Sequence, residues 1–448
     1  MEVIELHYRC PQIETVSPRF AAYRVIVSHL TQISMNDHSH VGQGHVASED
    51  FPADRSGKPT STPQGTGTLV ALLGASCLTA MAATAITPSL PGMAETFADT
   101  PNAQFLAQIG LTLPALVIAV AAAPVGAIVD RIGARTVLVF CAALFALAGS
   151  AGLYALNLPV LLASRAVLGL AIAGISTGAL ALVGGLYQDD KRHHVVGLQG
   201  AASSFGGMMF LMLGGLVAAT SWRLPFATYL LSLPLLPLFL LFLPRAVHKQ
   251  PVADKPAGAE GVEWAQVTMA YTSAFVGMIL FYVIPVQLPF HLAHHGFIDP
   301  ALTGYALSLC TLCGGISATL YSRIHRRMTP LSIITVAFIL IGIGQLLAVG
   351  GNYGAILAGM AVAGASTGLL LPTVNGLVLA STPVSKHGRF SGGVASALFI
   401  GQFVAPVSAS VAASVAGTVF LGTSIAAVAV ALVLLLGQFR AKRGQNSA

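Results

Sequence analysis

Between Leu69 and Phe439 the chain alternates long uncharged apolar runs with short polar connections. A helix needs about 20 mostly apolar residues to cross a hydrocarbon core of ~30 Å, so each sufficiently long run reads as a membrane span. Twelve are predicted, near 69–91, 104–129, 136–156, 159–186, 196–219, 224–243, 265–288, 301–321, 330–349, 353–381, 390–412 and 417–438. The last two share one stretch, Phe390 to Phe439, which carries no charge and is divided by a turn near Gly417. The expected fold is therefore an all-α membrane protein. Residues 1–67 break the pattern. They are polar, with Pro, Ser, Gly and Thr concentrated after Asn36 and a histidine-bearing tract, NDHSHVGQGH, and they are predicted to be a disordered cytoplasmic segment. Within them FAAYRVIVSHL is too short, and too interrupted by Arg24 and His29, to serve as a secretory apolar region. Met35 offers an alternative start.

Charge orients this arrangement. One alternate set of connections holds Arg131 and Arg135; Lys191 and Arg192; Arg245, Lys249 and Lys255; Arg323, Arg326 and Arg327; Lys386 and Arg389; and the tail Arg440, Lys442 and Arg443. The other set holds only Arg223, with Glu95, Asp99 and Asp299. Under the positive-inside rule the first set and both termini face the cytoplasm, which places a multi-pass protein in the inner (plasma) membrane. The net charge of +6 thus reports topology, and no basic stripe with interleaved aromatics suggests nucleic acid. Composition agrees, with 55% apolar and 8% charged residues. Five cysteines suggest no disulfide framework, and the CxxC of Cys310 and Cys313 supplies only half a tetrahedral shell, so no metal or cofactor is expected.

An internal echo divides the chain. AGISTGAL at 173–180 returns as AGASTGLL at 363–370, and aligning 165–180 on 355–370 gives eight identities in sixteen. PSLP, ending the first span, is matched by PVQLP, ending the seventh. Two six-helix bundles are expected, 68–245 and 265–439, joined by a linker at 246–264 and followed by a tail at 440–448. Parallel repeats of this sort are the plan of one large transporter class. Each copy of the echo carries GxxxG, Gly174 to Gly178 and Gly364 to Gly368, a spacing that lets membrane helices approach closely. Arg165, Gly169 and Ser176 share another face, and an arginine inside a span is by default a functional candidate lining a wet cavity. Snorkelling to the interface is the competing explanation. In this alignment Ala355 stands opposite Arg165.

The connection between the second and third spans reads GAIVDRIGAR, with Gly126, Asp130, Arg131, Gly133 and Arg135. Taken with the duplication and the twelve spans, the chain resembles the major facilitator superfamily, whose loop signature is G-x-x-x-D-R-x-G-x-R/K. The resemblance covers about Leu69 to Phe439. It implies two pseudo-symmetric bundles that alternate access, with Asp130 latching the cytoplasmic side against the start of the eleventh helix near Ser391, Gly392 and Gly393. A carboxylate at a helix N-terminus is favourable. The second-half counterpart, ATLYSRIHRR, has Ser322 in place of the aspartate and contributes Arg323, so the latch is expected to be one-sided.

Other features look like the drug:proton antiporter branch. Arg165 and Gly169 resemble its fourth-helix motif R-x-x-q-G, with Leu168 replacing the glutamine, and in that branch the arginine is implicated in proton transfer. Gly197, Gly206, Gly214 and Gly215 match the fifth-helix pattern G-x8-G-x3-G-P-x2-G-G, but Phe210 and Leu211 occupy its central G-P. WRLPF at 222–226 also looks like the efflux branch. No Asp or Glu lies inside a predicted span, so coupling is left to Arg165 with Asp130, to Glu95, or to histidines such as His291, His294 and His295 beyond the seventh span.

The candidate substrate-cavity residues are Thr84, Gln108, Tyr282, Gln287, Ser366, Asn375 and Gln402. The resemblance places helices one, four, seven and ten along the path. Each of these residues could equally be a satisfied interhelical hydrogen bond. The function expected is a monomeric secondary transporter, not an enzyme, exporting a small organic or drug-like compound in exchange for protons. Its partners are that small-molecule substrate, protons and the lipid bilayer, with no nucleic acid. An importer or uniporter is the alternative, and a membrane-embedded enzyme or non-transporting sensor is disfavoured by the missing intramembrane carboxylates. If Met35 is the true start, mass spectrometry of the native protein finds no peptides from residues 1–34, and finding them refutes that start.

Overall fold

The computed structural model describes residues 65–244, 262–383 and 386–446. Residues 1–64, which include Met35 and Cys10, and residues 245–261, which include Arg245, Lys249 and Lys255, lie outside the described residues, as do 384–385 and 447–448. The N-terminal segment and most of the linker expected from the sequence therefore fall outside them.

The described residues contain twelve helices long and apolar enough to cross a membrane. They are α1 (Thr66–Thr84, continued through a short 3-10 turn by Leu90–Thr96), α2 (Ala103–Ile132), α3 (Ala134–Gly149), α4 (Leu158–Leu186), α5 (Asp189–Ala218) and α6 (Leu224–Ser232 as a 3-10 helix, then Leu235–Phe242) in the first half. The second half holds α7 (Trp264–His294), α8 (Pro300–His325), α9 (Pro330–Ala348), α10 (Tyr353–Ala380), α11 (His387–Ala416) and α12 (Val419–Asn446). Successive connections alternate between a basic end, carrying Arg131, Lys191, Arg323 and Lys386, and an acidic end, carrying Glu95, Asp99 and Asp299.

Helix starts are made by short polar side chains, because N–H groups exposed at a helix end need partners in or near lipid. Asn157 accepts from Val160 N–H at 3.0 Å, Asp299 from Ala301 at 2.9 Å, Thr329 from Ser332 at 3.3 Å and Asn352 from Ala355 at 3.2 Å. Between α2 and α3 there is one residue, Gly133, at φ +91°, a backbone that a side chain would strain. The sixth span departs from a regular α-helix at Leu224–Ser232. Pro225, Pro234 and Pro237 remove amide donors along this segment, which accounts for its broken start. Two other boundaries shift. α7 runs on to His294, so His291 and His294 belong to a helix and not to the loop expected there, and α11 starts at His387, ahead of Ser391.

In each half the fourth helix of the bundle is the packing centre: α4 lies against α2 and α3, and α10 against α8 and α9. The contacts are backbone to backbone at glycine. A Cβ at Gly178 would stand 3.1 Å from Ala134 O, at Gly359 2.4 Å from Gly344 O, and at Gly364 2.0 Å from Cys310 O. The structure also corrects the register of the repeat. Ala173 lies sixteen residues beyond its cap Asn157, whereas Ala363 lies eleven beyond Asn352, so the copies differ by five residues in helical register. Five residues turn a helix by about 140° net of a full turn. Accordingly Gly174 and Gly178 meet α3, through Cys141 and Leu138, while Gly364 and Gly368 meet α8. Relative to the caps, the residue matching Arg165 is Met360, which is buried, and not Ala355.

Adding a methyl where a carbonyl already stands overpacks the contact, so Gly364→Ala is expected to destabilise by ~1–3 kcal/mol. Gly376→Ala, whose nearest foreign atom is Tyr321 Oη at 3.8 Å, should be near neutral. Unfolding midpoints in detergent measure both, and equal midpoints would remove the packing role.

Candidate functional site

The two halves touch along α2 with α11 and α5 with α8. At the acidic end they are sealed. Gly215 and Gly304 bring α5 and α8 into backbone contact, Ser308 Oγ donates to Met208 O at 3.0 Å, and Gln287 Nε2 donates to Gln108 Oε1 at 3.3 Å across the interface. Toward the basic end the contact is lost. No atom lies within 4 Å of an added Cβ at Gly197, Gly200, Gly315, Gly388 or Gly392, and a cavity of about 620 Å³ separates α5 from α8. The structure is therefore closed at the acidic end and parted at the basic end.

Beneath the Gln108–Gln287 seal lies a central cavity of about 240 Å³. α1 contributes Thr79, Ala80 and Ala82; α2 Leu111, Pro114, Ala115 and Ile118; α4 Ile172 and Ser176; α5 Ser203; α7 Tyr282; and α11 Phe399 and Gln402. Its lining contains no charged side chain. The hydroxyls of Thr79, Ser176 and Ser203 already donate to backbone carbonyls, at 2.8, 2.7 and 3.2 Å. The Tyr282 hydroxyl and the Gln402 amide make no hydrogen bond of their own among the described residues, so they are the groups left to recognise a ligand. Their separation on α7 and α11, with apolar walls between, suits a small molecule carrying one or two hydrogen-bonding groups.

Of the residues expected to line a cavity, Tyr282, Gln402 and Ser176 do so. Gln108 and Gln287 form the seal above it. Thr84 bonds to Ala80 O and faces Gly207 of α5, Ser366 is fully buried and bonds to Ala363 O, and Asn375 bonds to Leu371 O, so each is satisfied within its own helix. The expected contribution from the tenth helix is absent from the lining, and α2, α5 and α11 supply the remainder. Thr79, Ser203 and Phe399 line the cavity without having been singled out as candidates. The i, i+3 pair Phe399 and Gln402 on one face of α11 was the available signal.

The glycines of α5 divide between two neighbours. Gly206 approaches Cys77 and Gly214 approaches Ala85 O on α1, Gly215 approaches α8, and Gly197 is open. Phe210 and Leu211, where the antiporter pattern has glycine and proline, are both buried. At the basic end of α2, a Cβ added at Gly126 would stand 4.0 Å from Thr177, Asp130 and Arg131 are exposed, and the Arg135 guanidinium donates to Leu240 O, tying α3 to α6. Arg323 is exposed at the end of α8 beside Arg326 and Arg327.

Arg165 is placed differently from the expectation. It does not line the cavity, and only 1% of its surface is exposed. Its Nη2 donates to Ala148 O at 2.9 Å and Gly149 O at 2.7 Å, and its guanidinium lies 5.1 Å from the Phe226 ring centroid and 5.2 Å from that of Tyr229. These carbonyls end α3, the negative end of that helix dipole, and the rings present their electron-rich faces. Gly169, four residues on, packs against Pro114 of α2 instead of facing open space. Arg223 repeats the device one turn further out, donating to Gly152 O and Ala155 O at 3.0 Å each while lying over Trp222. Arg165 thus joins α4 to the end of α3 and to α6, Arg223 joins α6 to the α3–α4 connection, and the WRLPF segment supplies Arg223, Trp222 and Phe226 to that joint.

Arg165→Gln is expected to lower stability by ~2–4 kcal/mol, since it removes two charge-assisted bonds and two ring contacts. Ligand affinity per folded molecule should be unchanged. Denaturant unfolding and ligand titration of the same preparation measure the two effects, and an unaltered midpoint with lost binding would overturn the joint.

The model of the Major Facilitator Superfamily matches residues 72–332 and 269–448. No curated protein sequence matches the chain. Among solved structures, it is similar to a POT family transporter in complex with a thioalcohol-conjugated peptide (12% identity, 83% of this chain and 96% of that one, TM-score 0.66). It is also similar to a D-xylose–proton symporter (15% identity, 82% and 96%, TM-score 0.66). A third similar structure is a bacterial homologue of the human lysosomal transporter Spinster, inward-facing and unoccupied (16% identity, 84% and 95%, TM-score 0.64). At these identities the likeness is one of fold. With twelve apolar helices in two halves, a cavity between them and a family model spanning both, the chain belongs to the major facilitator superfamily and is a secondary transporter, not an enzyme.

Proposed function

We propose that the transporter exports a small, neutral, amphipathic organic compound in exchange for protons, from an inner membrane in which its basic end faces the cytoplasm. The observation that carries this reading is the uncharged central cavity, apolar but for hydroxyls and the uncommitted Tyr282 and Gln402. A dicarboxylate or sugar phosphate needs cations, and Arg165, the cation expected nearby, is committed to the end of α3. Export is supported by the fifth-helix glycines and by a conformation parted at the basic end, where a cytoplasmic compound would load. Tyr282 and Gln402 hold the compound, while Gln108 and Gln287 close the exit behind the acidic end.

In the opposite conformation Asp130 latches the basic end against the first turn of α11. The N-cap of that helix, Lys386, makes no side-chain cap bond, leaving the first N–H groups for a carboxylate. Gly126 and Gly133 give the closing loop its room and its turn. Proton exchange needs a group that titrates, and His291 supplies one inside α7. Its Nε2 is buried without a hydrogen bond, and its ring stands 4.4 Å from that of His295.

Everted membrane vesicles from expressing cells, energised to acidify their lumen, should accumulate the compound. Collapse of the pH gradient should abolish accumulation. Tyr282→Phe and Gln402→Ala should each raise KM about 3- to 10-fold, the loss of one hydrogen bond to a neutral partner. Accumulation by right-side-out vesicles instead would make the chain an importer. Unchanged KM in both variants would move the binding site elsewhere.

A further inference from the structure

A groove of about 620 Å³ runs between α5 and α8, from near the level of the central cavity toward the basic end. One wall is Gly200, Ala201 and Phe205, the other Leu312, Gly315 and Ile316. Phe205, Leu312 and Ile316 are 64%, 46% and 52% exposed. The hydroxyls along it are spent on their own helices: Ser204 donates to Gly200 O, Thr311 to Leu307 O and Thr319 to Ile316 O. The walls therefore offer a ligand carbon and almost no hydrogen bonding, and they lie at membrane depth, where the surrounding solvent is acyl chain.

Beyond the groove, the stripe that lines it on α8 continues into cations. Arg323 follows Leu312, Ile316 and Thr319 on the same face of α8, at the four-, three- and four-residue steps of a helical stripe. Arg326 and Arg327 flank the same helix end, around a recess of about 340 Å³, and all three are exposed. Lys191 is exposed in the first turn of α5 across the gap. No carboxylate forms a described ion pair with any of these four. An apolar slot whose α8 wall continues, one helical turn on, into a cluster of guanidinium groups matches an amphiphile with a buried chain and an anionic head.

We propose that the α5–α8 groove is a binding site for an anionic phospholipid of the basic-end leaflet. Its acyl chain lies between Gly200 and Gly315 and its phosphate lies among Arg323, Arg326 and Arg327. The groove exists only while the halves are parted at this end, so the lipid binds one conformation better than the other and shifts the population toward it. The lipid thereby holds the transporter ready to load, whatever compound is carried. Arginine suits the role because its planar donors grip phosphate from several sides.

The full chain in detergent is titrated with phosphatidylglycerol and with phosphatidylcholine of the same acyl chains, and bound lipid is counted by native mass spectrometry. Phosphatidylglycerol should bind in preference. The double variant Arg326→Gln/Arg327→Gln should lose affinity for it by about 30-fold and little for phosphatidylcholine. Gly315→Leu and Gly200→Leu, at positions where an added Cβ meets nothing within 4 Å, should each fill the groove and reduce retention of both lipids without lowering the melting temperature. Equal retention of the two lipids by the unaltered chain overturns the head-group assignment. Undiminished phosphatidylglycerol retention in both leucine variants overturns the groove as the site, and competition by free glycerol phosphate as strong as by the whole lipid reduces the site to a surface anion cluster. None of these three failures touches the central cavity, which Tyr282→Phe and Gln402→Ala probe separately.

Discussion

Helices in hydrocarbon have little hydrophobic reason to associate, because lipid tails are as apolar as leucine, so they hold together by close packing and by the few polar contacts they can satisfy. In this chain the close packing is backbone contact at glycine. Gly169, Gly174 and Gly178 seat α4 in the first half, Gly344, Gly359, Gly364 and Gly368 seat α10 in the second, and Gly215 with Gly304 joins the halves at the acidic end. The same device thus builds each bundle and closes one gate. The difference lies in extent: within a bundle the contact runs along a helix, while between bundles it is confined to one end, where it can be exchanged for another.

Polar groups are used sparingly and with a consistent logic. The buried Arg165 is compensated in part: Nη2 meets the carbonyl end of α3 and the guanidinium lies by two aromatic rings, while Nε and Nη1 are buried without a hydrogen bond and no carboxylate partner is present among the described residues. It stiffens the first bundle against α6, and Arg223 does the same nearer the surface. Most cavity-level hydroxyls are turned onto backbone carbonyls, which leaves Tyr282 and Gln402 conspicuous in a largely apolar chamber. A rigid bundle joined by arginine and a chamber nearly free of charge are two results of one constraint, since each uncompensated polar group in a span is costly.

The two halves are alike in plan and unlike in detail. Their fourth helices carry the same eight-residue phrase, yet the phrase lies five residues deeper in α4 than in α10. The small residues serve equally well in either register because they offer backbone and no shape, so similarity of composition outlived identity of contact. The cavity lining is asymmetric as well: the first half contributes α1, α2, α4 and α5 to it, and the second only α7 and α11.

Twelve helices, two halves, the alternating basic and acidic ends and the Asp130 loop were legible in the chain itself, because hydrocarbon thickness dictates run length and charge dictates which connections group together. Gly133 was legible too, as a glycine in the connection between two spans, and Tyr282 as a polar residue on a helix expected along the path; Gln402 was a candidate by its polarity alone, since the eleventh helix was not expected there. What depended on the tertiary structure was every question of facing. The sequence period places Arg165, Gly169 and Ser176 along one stripe, but a stripe on a helix surrounded by four others meets several neighbours, and only packing decided that Arg165 reaches the end of α3 while Ser176 reaches the cavity. The register of the repeat needed the caps, Asn157 and Asn352, since identity alone cannot tell a shared position from a shared composition. The parting of α5 from α8 belongs wholly to the tertiary structure, because it is a property of how two rigid halves lean and not of any residue within them.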